Sequence, residues 1–142
     1  MQQVKIEYIA GFFDGEGSVG LYKTGNSYYL RSQLTQNKSE LSDKLFEYLR
    51  NKYGGSIGKQ NTLSGKVKYN WQLNSEKAYF FLKEIEPHLV LKKEQAQISI
   101  KWFEQKIAKT RNAKGQIEKT SDIINEMNLS ISKRLRTLKE TG

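Results

Sequence analysis

The chain contains no cysteine, which excludes disulfides, thiolate catalysis and cysteine-ligated zinc. Its one histidine, His88, follows its one proline, Pro87, beside an apolar run. That setting reads as structural rather than as a general base, and no histidine cluster is available for a metal. P-loops and Gly-rich dinucleotide turns are likewise missing. No apolar run reaches membrane-spanning length, and the opening Met1-Gln-Gln-Val-Lys5 lacks the apolar stretch of a secretory signal. An intracellular protein with no membrane association is expected, which makes the sequon-like Asn128-Leu-Ser130 incidental.

The length of 142 residues suits one domain with a real core. A formal charge of +9 and a pI near 9.6 point to a polyanionic partner. The charge is unevenly placed. Residues 1–37 carry three basic and three acidic side chains, residues 38–100 eleven and seven, and residues 101–142 ten and five.

Periodicity and punctuation predict the elements in order. A first helix runs from about Val4 to Phe13 and stops at Gly15 and Gly17. Strands at 18–24 and 27–36 flank the turn dipeptide Gly25-Asn26. Ser39 caps a second helix with Leu41, Leu45, Tyr48 and Leu49 on its apolar stripe, ended by Gly54-Gly55. Strands at 56–61 and 66–73 follow, then a helix capped by Asn74 or Ser75 and carrying Ala78, Phe81, Leu82 and Ile85 up to Pro87. A fourth helix spans 93–109, with Ala96, Ile100, Phe103 and Ile107 on one stripe. Residues 109–115 form a basic connector, and 117–139 carry a weaker helical pattern. The core domain is expected over 1–110, with 111–142 as its connector and tail. Adjacent hairpins imply an antiparallel sheet with helices on one face, an α+β fold.

Strand 66–73 separates the two faces of that sheet. Val67, Tyr69, Trp71 and Leu73 alternate with Lys66, Lys68, Asn70 and Gln72, so the first set packs on helices and the second faces solvent. In strand 27–36 Leu30 and Leu34 turn inward while Tyr29, Arg31, Gln33 and Thr35 turn outward, and Tyr22 and Thr24 extend the outer face. Lys and Arg neutralise phosphates, and Arg, Asn and Gln can bond base edges in the major groove. The outer residues Tyr22, Thr24, Arg31, Gln33, Lys66, Lys68, Asn70 and Gln72 are therefore candidate DNA contacts of a β-ribbon reader.

Residues 8–18, Tyr-Ile-Ala-Gly-Phe-Phe-Asp-Gly-Glu-Gly-Ser, lead from an apolar helix into two carboxylates in a glycine-rich turn. A helix C-terminus carries partial negative charge, so carboxylates there call for a compensating cation. Hard oxygen ligands suit Mg²⁺. Asp14 is read as ordering the turn through backbone N–H groups, and Glu16 as the metal ligand. Carboxylates, a metal and a positive neighbour suffice for phosphodiester hydrolysis by activated water.

Ile9-Ala-Gly-Phe-Phe-Asp-Gly-Glu-Gly17 resembles the signature of the LAGLIDADG homing endonucleases, with isoleucine for the opening leucine and glutamate for the more usual final aspartate. Gln33-Leu-Thr-Gln36 resembles the end of the family's second strand, and Pro87-His-Leu-Val-Leu-Lys-Lys-Glu-Gln-Ala96 its lysine-bearing approach to a long helix. The resemblance implies a saddle-shaped antiparallel sheet in αββαββα order. It implies catalytic roles for Glu16, Gln36 and Lys92, and metal ligation by Glu16 with the Gly15 carbonyl. The cofactor implied is Mg²⁺ or another divalent cation such as Mn²⁺. Motif helices of two chains would pack through Ala10, Gly11, Asp14 and Gly15, giving a homodimer on double-stranded, pseudo-palindromic DNA. An intron-encoded enzyme of an organelle or a prokaryotic cytoplasm fits that family. A non-cleaving protein of the same fold, an intron RNA maturase or a DNA-binding repressor, is the alternative.

Overall fold

Each half of the sheet is a hairpin set up by its own turn. In the computed structural model, which describes residues 3–112 and Leu135, α1 (Ile6–Glu16) leads straight into β1 (Gly17–Thr24). Gly25, at φ +60°, turns the chain into β2 (Ser27–Asn37). After α2 (Glu40–Tyr53), strands β3 (Ser56–Asn61) and β4 (Val67–Asn74) make the second hairpin. Its loop is closed by the Thr62 N–H and Oγ1, which both donate to the Lys66 carbonyl at 3.0 and 2.8 Å. Then come α3 (Glu76–Ile85), a 3₁₀ turn at Glu86–His88 and the long α4 (Lys93–Asn112). This is the expected helix–hairpin–helix–hairpin–helix order.

The strands are all antiparallel in the order β1-β2-β4-β3, so β2 and β4 form the centre. The alternation expected of strand 66–73 holds. Tyr69, Trp71 and Leu73 are buried with Leu30 and Leu34 against the helices, while Lys68 is exposed and Asn70 and Gln72 are half-buried on the other side. Edge-to-face rings tie three elements together: Phe81 of α3 packs on Phe13 of α1 at 5.6 Å and on Trp71 of β4 at 5.1 Å. No described helix is long and apolar enough to cross a membrane.

Ser39 caps α2 as expected. Its Oγ accepts from the Ser42 N–H at 3.0 Å, and the Ser42 Oγ accepts from the Ser39 N–H at 2.8 Å. Other local expectations need correction. Leu41 is not on the buried stripe but 74% exposed; Leu45, Phe46 and Leu49 make the contact instead. Ser75 stands at the α3 N-cap without a side-chain bond, because φ +55° turns its N–H to the Leu30 carbonyl at 2.7 Å. α4 buries Ala96, Ser99, Trp102 and Phe103, leaving Ile100 and Ile107 half-buried, and it runs to Asn112 through the start of the expected connector. The tail helix expected over 117–139 lies outside the described residues except for Leu135, which is buried in the core.

Candidate functional site

The glycine-rich turn expected after Phe13 is helix. α1 continues through Asp14, Gly15 and Glu16 and becomes strand at Gly17 without a connecting loop. The Gly17 N–H closes the helix onto the Phe13 carbonyl. A Cβ at Gly17 would sit 2.4 Å from the Phe13 ring, which is fully buried and cannot retreat. Only glycine lets the chain leave the helix so abruptly.

Two residues of helix rotate a side chain by about 200°, so Asp14 and Glu16 point to opposite sides. Asp14 is 9% exposed. Its Oδ2 accepts from the Val90 N–H at 2.8 Å and its Oδ1 from the Lys92 N–H at 3.0 Å. Asp14 does bond backbone N–H groups, but of a segment 76 to 78 residues away rather than of its own turn. Lys92 returns the contact, its Nζ donating to the Asp14 carbonyl. That carbonyl belongs to the last helical turn, where unsatisfied C=O groups concentrate partial negative charge. The structure thus brings Lys92 to the acid-tipped end of α1.

Glu16 is exposed and takes no hydrogen bond or ion pair from any described residue. With both Asp14 oxygens engaged, the donors open to a cation at this corner are the Glu16 carboxylate and helix-end carbonyls such as that of Gly15. They are hard oxygens of the kind Mg²⁺ prefers, and water commonly fills the rest of its six-fold shell. Among the described residues no three His, Cys, Asp or Glu side chains come together to hold a metal. The donor chemistry fits a divalent cation held by few protein ligands.

Gln36 is on the helix side of β2, opposite Tyr69 and two positions past Leu34, which pairs with Gly17. Its Oε1 accepts from the Asn37 N–H at 3.1 Å, and the residue lines a groove of about 720 Å³ between α1 and α2 together with Tyr8, Phe12, Leu41 and Leu45. Lys92 is therefore held at the end of α1 that carries Glu16, and Gln36 lines the groove beside the same helix.

The residues expected at a chain–chain contact divide. Gly11 and Gly15 lie on the exposed side of α1 with open space where a Cβ would be. Ala10 is 0% exposed and Asp14 nearly so, both turned into their own chain, so neither offers surface to a partner. Tyr8, 58% exposed, takes their place in an outer stripe with Gly11, half-buried Phe12 and Gly15. The 8, 11, 12, 15 spacing was a helical face visible in the sequence.

On the outer sheet face, the register sets Gln33 beside Gln72, Thr35 beside Asn70 and Asn37 beside Lys68. Tyr22 and Thr24 extend it on β1, while Lys66 lies in the β3–β4 loop just before its strand. Gln33 Oε1 accepts from Asn70 Nδ2 at 3.2 Å and from Gln72 Nε2 at 3.4 Å. Asn74, expected as a helix cap, instead ends β4 and accepts from Arg31 Nε at 3.0 Å.

A family model described as LAGLIDADG endonuclease matches residues 9–101, and the chain belongs to that family. The matched segment contains the α1 corner and the whole sheet. No curated protein matches the chain. The fold is similar to that of the homing endonuclease I-CvuI, solved in complex with the I-CreI target, with a TM-score of 0.63 and 18% identity over 94% of this chain and 80% of that one. It is similar to the homing endonuclease I-TnaI, at TM-score 0.58 and 20% identity over 99% of both chains. The LAGLIDADG homing endonuclease I-SmaMI bound to cleaved DNA gives a TM-score of 0.61 and 21% identity, over 79% of this chain but 40% of that one. At these identities the likeness is one of fold.

Proposed function

We propose that the chain is a homodimeric, site-specific homing endonuclease that breaks both strands of DNA by phosphodiester hydrolysis with Mg²⁺ or Mn²⁺. Its expected genomic setting is an open reading frame inside an intron. One observation carries the reading: Glu16 stands exposed at the end of α1 with no hydrogen bond or ion pair from any described residue, while Lys92 is tied to the same helix end through Asp14. A structural helix end has no use for an unpaired carboxylate in its own negative field.

Glu16 and the Gly15 carbonyl would hold the cation, which when bound acidifies water and offsets charge on the phosphate. Lys92 places a positive charge where the attacked phosphate becomes more negative, and Gln36 orients the water. The outer face of β1, β2 and β4 lies in the major groove, and Lys66, Lys68 and the basic C-terminal residues grip phosphates. Dimerisation would bring a second Glu16 carboxylate to the same cation. The stripe of Tyr8, Gly11, Phe12 and Gly15 lets two such helices approach closely. A two-fold dimer reads a pseudo-palindrome with half-sites of about 10 base pairs.

The test is incubation with DNA of the intronless insertion site. Cleavage of both strands should require a divalent cation and disappear in Glu16→Gln, with DNA binding retained. Tight cation-independent binding without cleavage by the unmodified chain would turn the reading to a maturase or repressor.

A further inference from the structure

Arg31 on the outer sheet face is held in place before any ligand arrives. Its Nε donates to Asn74 Oδ1 at 3.0 Å across the β2–β4 pair, and its Nη2 donates to the Tyr29 hydroxyl at 2.9 Å. The guanidinium carbon lies 4.9 Å from the centre of the Tyr22 ring and 5.3 Å from that of Tyr29. The two rings, one on each of neighbouring strands, are 6.0 Å apart and inclined by 32°. Opposite Arg31 on β1 is Gly20, and the Tyr22 ring lies 3.4 Å from where its Cβ would stand, an ordinary van der Waals contact.

A long flexible side chain is thus fixed by two hydrogen bonds and an aromatic cradle. A guanidinium carries five N–H donors. Two are used by Asn74 and Tyr29, and the other three, two on Nη1 and one on Nη2, meet no acceptor among the described residues. They are enough for the two parallel bonds that guanine O6 and N7 accept in the major groove. The strand is also right for a base. β2 is interior to the sheet, with β1 and β4 on either side, and Arg31 is at its middle, whereas the phosphate candidates Lys66 and Lys68 stand in the β3–β4 loop and at the start of β4.

Resting on the DNA-reading role proposed above, we infer that Arg31 specifies a guanine in each half-site, with Asn74, Tyr29 and Tyr22 as positioning residues that hold its fork. Rigid presentation matters here because an arginine that must first be ordered loses discrimination along with affinity.

The experiment is selection of bound duplexes from a library of random sequence by the full-length chain, repeated with Arg31→Ala, Arg31→Lys and Asn74→Ala. The unmodified chain should enrich a two-fold symmetric motif with an invariant guanine at one position of each half. Arg31→Ala should lose that guanine alone, with discrimination there falling roughly 5- to 150-fold. Arg31→Lys keeps the charge but lacks the fork and its two anchors, and should weaken the guanine preference. Asn74→Ala should weaken the guanine preference while retaining the rest of the motif. An enriched motif that Arg31→Ala leaves unchanged, with affinity lowered uniformly and the salt slope reduced by about 1, would make Arg31 a phosphate contact and overturn the guanine assignment alone. Failure of the unmodified chain to enrich any motif would remove the DNA-reading role and this assignment with it.

Discussion

Two polar regions of this molecule are organised by opposite means. At the α1 corner the main chain does the holding: a buried carboxylate gathers two backbone N–H groups from the 89–92 segment, and a lysine closes on a backbone carbonyl. On the outer sheet face side chains hold side chains, as Arg31 does with Asn74 and Tyr29, or Gln33 with Asn70 and Gln72. Backbone partners persist through most substitutions, whereas side-chain partners change with each one. The proposed chemistry, which must stay constant, thus rests on the first kind of scaffold. The proposed recognition, which must adapt to a new target, rests on the second.

The sharpest way to break this contrast is Asp14→Ala. It orphans two part-buried N–H donors and removes two charge-assisted bonds, so stability measured by urea unfolding should fall by about 3 kcal/mol. A loss below about 1 kcal/mol would show that the corner is held otherwise. Gly17→Ala should cost about 1–3 kcal/mol in the same assay, because its methyl enters the space of the immobile Phe13 ring. Glu16→Gln, two residues from Asp14, should move stability upward by only a few tenths of a kcal/mol, since it removes a charge disfavoured at the helix end. Lys68→Ala on the sheet face should leave the unfolding midpoint unchanged and lower the salt slope of DNA binding by about 1; an unchanged slope removes Lys68 from the phosphate contacts.

Much of this was legible because it is periodic. The alternation from Lys66 to Leu73 assigned each residue to a face, and Ser39 announced the cap of α2. The end of α1 was not legible. Asp-Gly-Glu-Gly has the local propensity of a turn, yet it stays helical through Glu16 while Asp14 is bonded to Val90 and Lys92, partners far away in the chain. The orientation of α1 was hidden for a second reason. Ile6, Tyr8, Ile9, Ala10, Phe12 and Phe13 make the helix apolar nearly all round, so its pattern could not say which side meets its own sheet. Smallness suggested Ala10 for a contact between chains; rotation about the helix axis assigns it to the core and Tyr8 to the outside. The proximity of Lys92 to the motif helix followed from family resemblance, since nothing local links residues so distant in sequence.

One bond far from the corner gives α4 a second task. Lys106 reaches across to the Tyr28 carbonyl at 2.7 Å, three residues before Arg31 on the same strand, and burial lowers its ammonium below the ordinary lysine value. Lys92, at the other end, leads into the helix that carries Lys106. Fourteen residues of helix measure about 21 Å, so α4 acts as a ruler whose ends are pinned to the corner proposed to cut and to the strand proposed to meet the duplex. Inserting one residue between those pins would swing Lys106 round by about 100° and unhook the gauge. On the proposed reading, the spacing between where DNA is read and where it is cut is a length stored in a single helix.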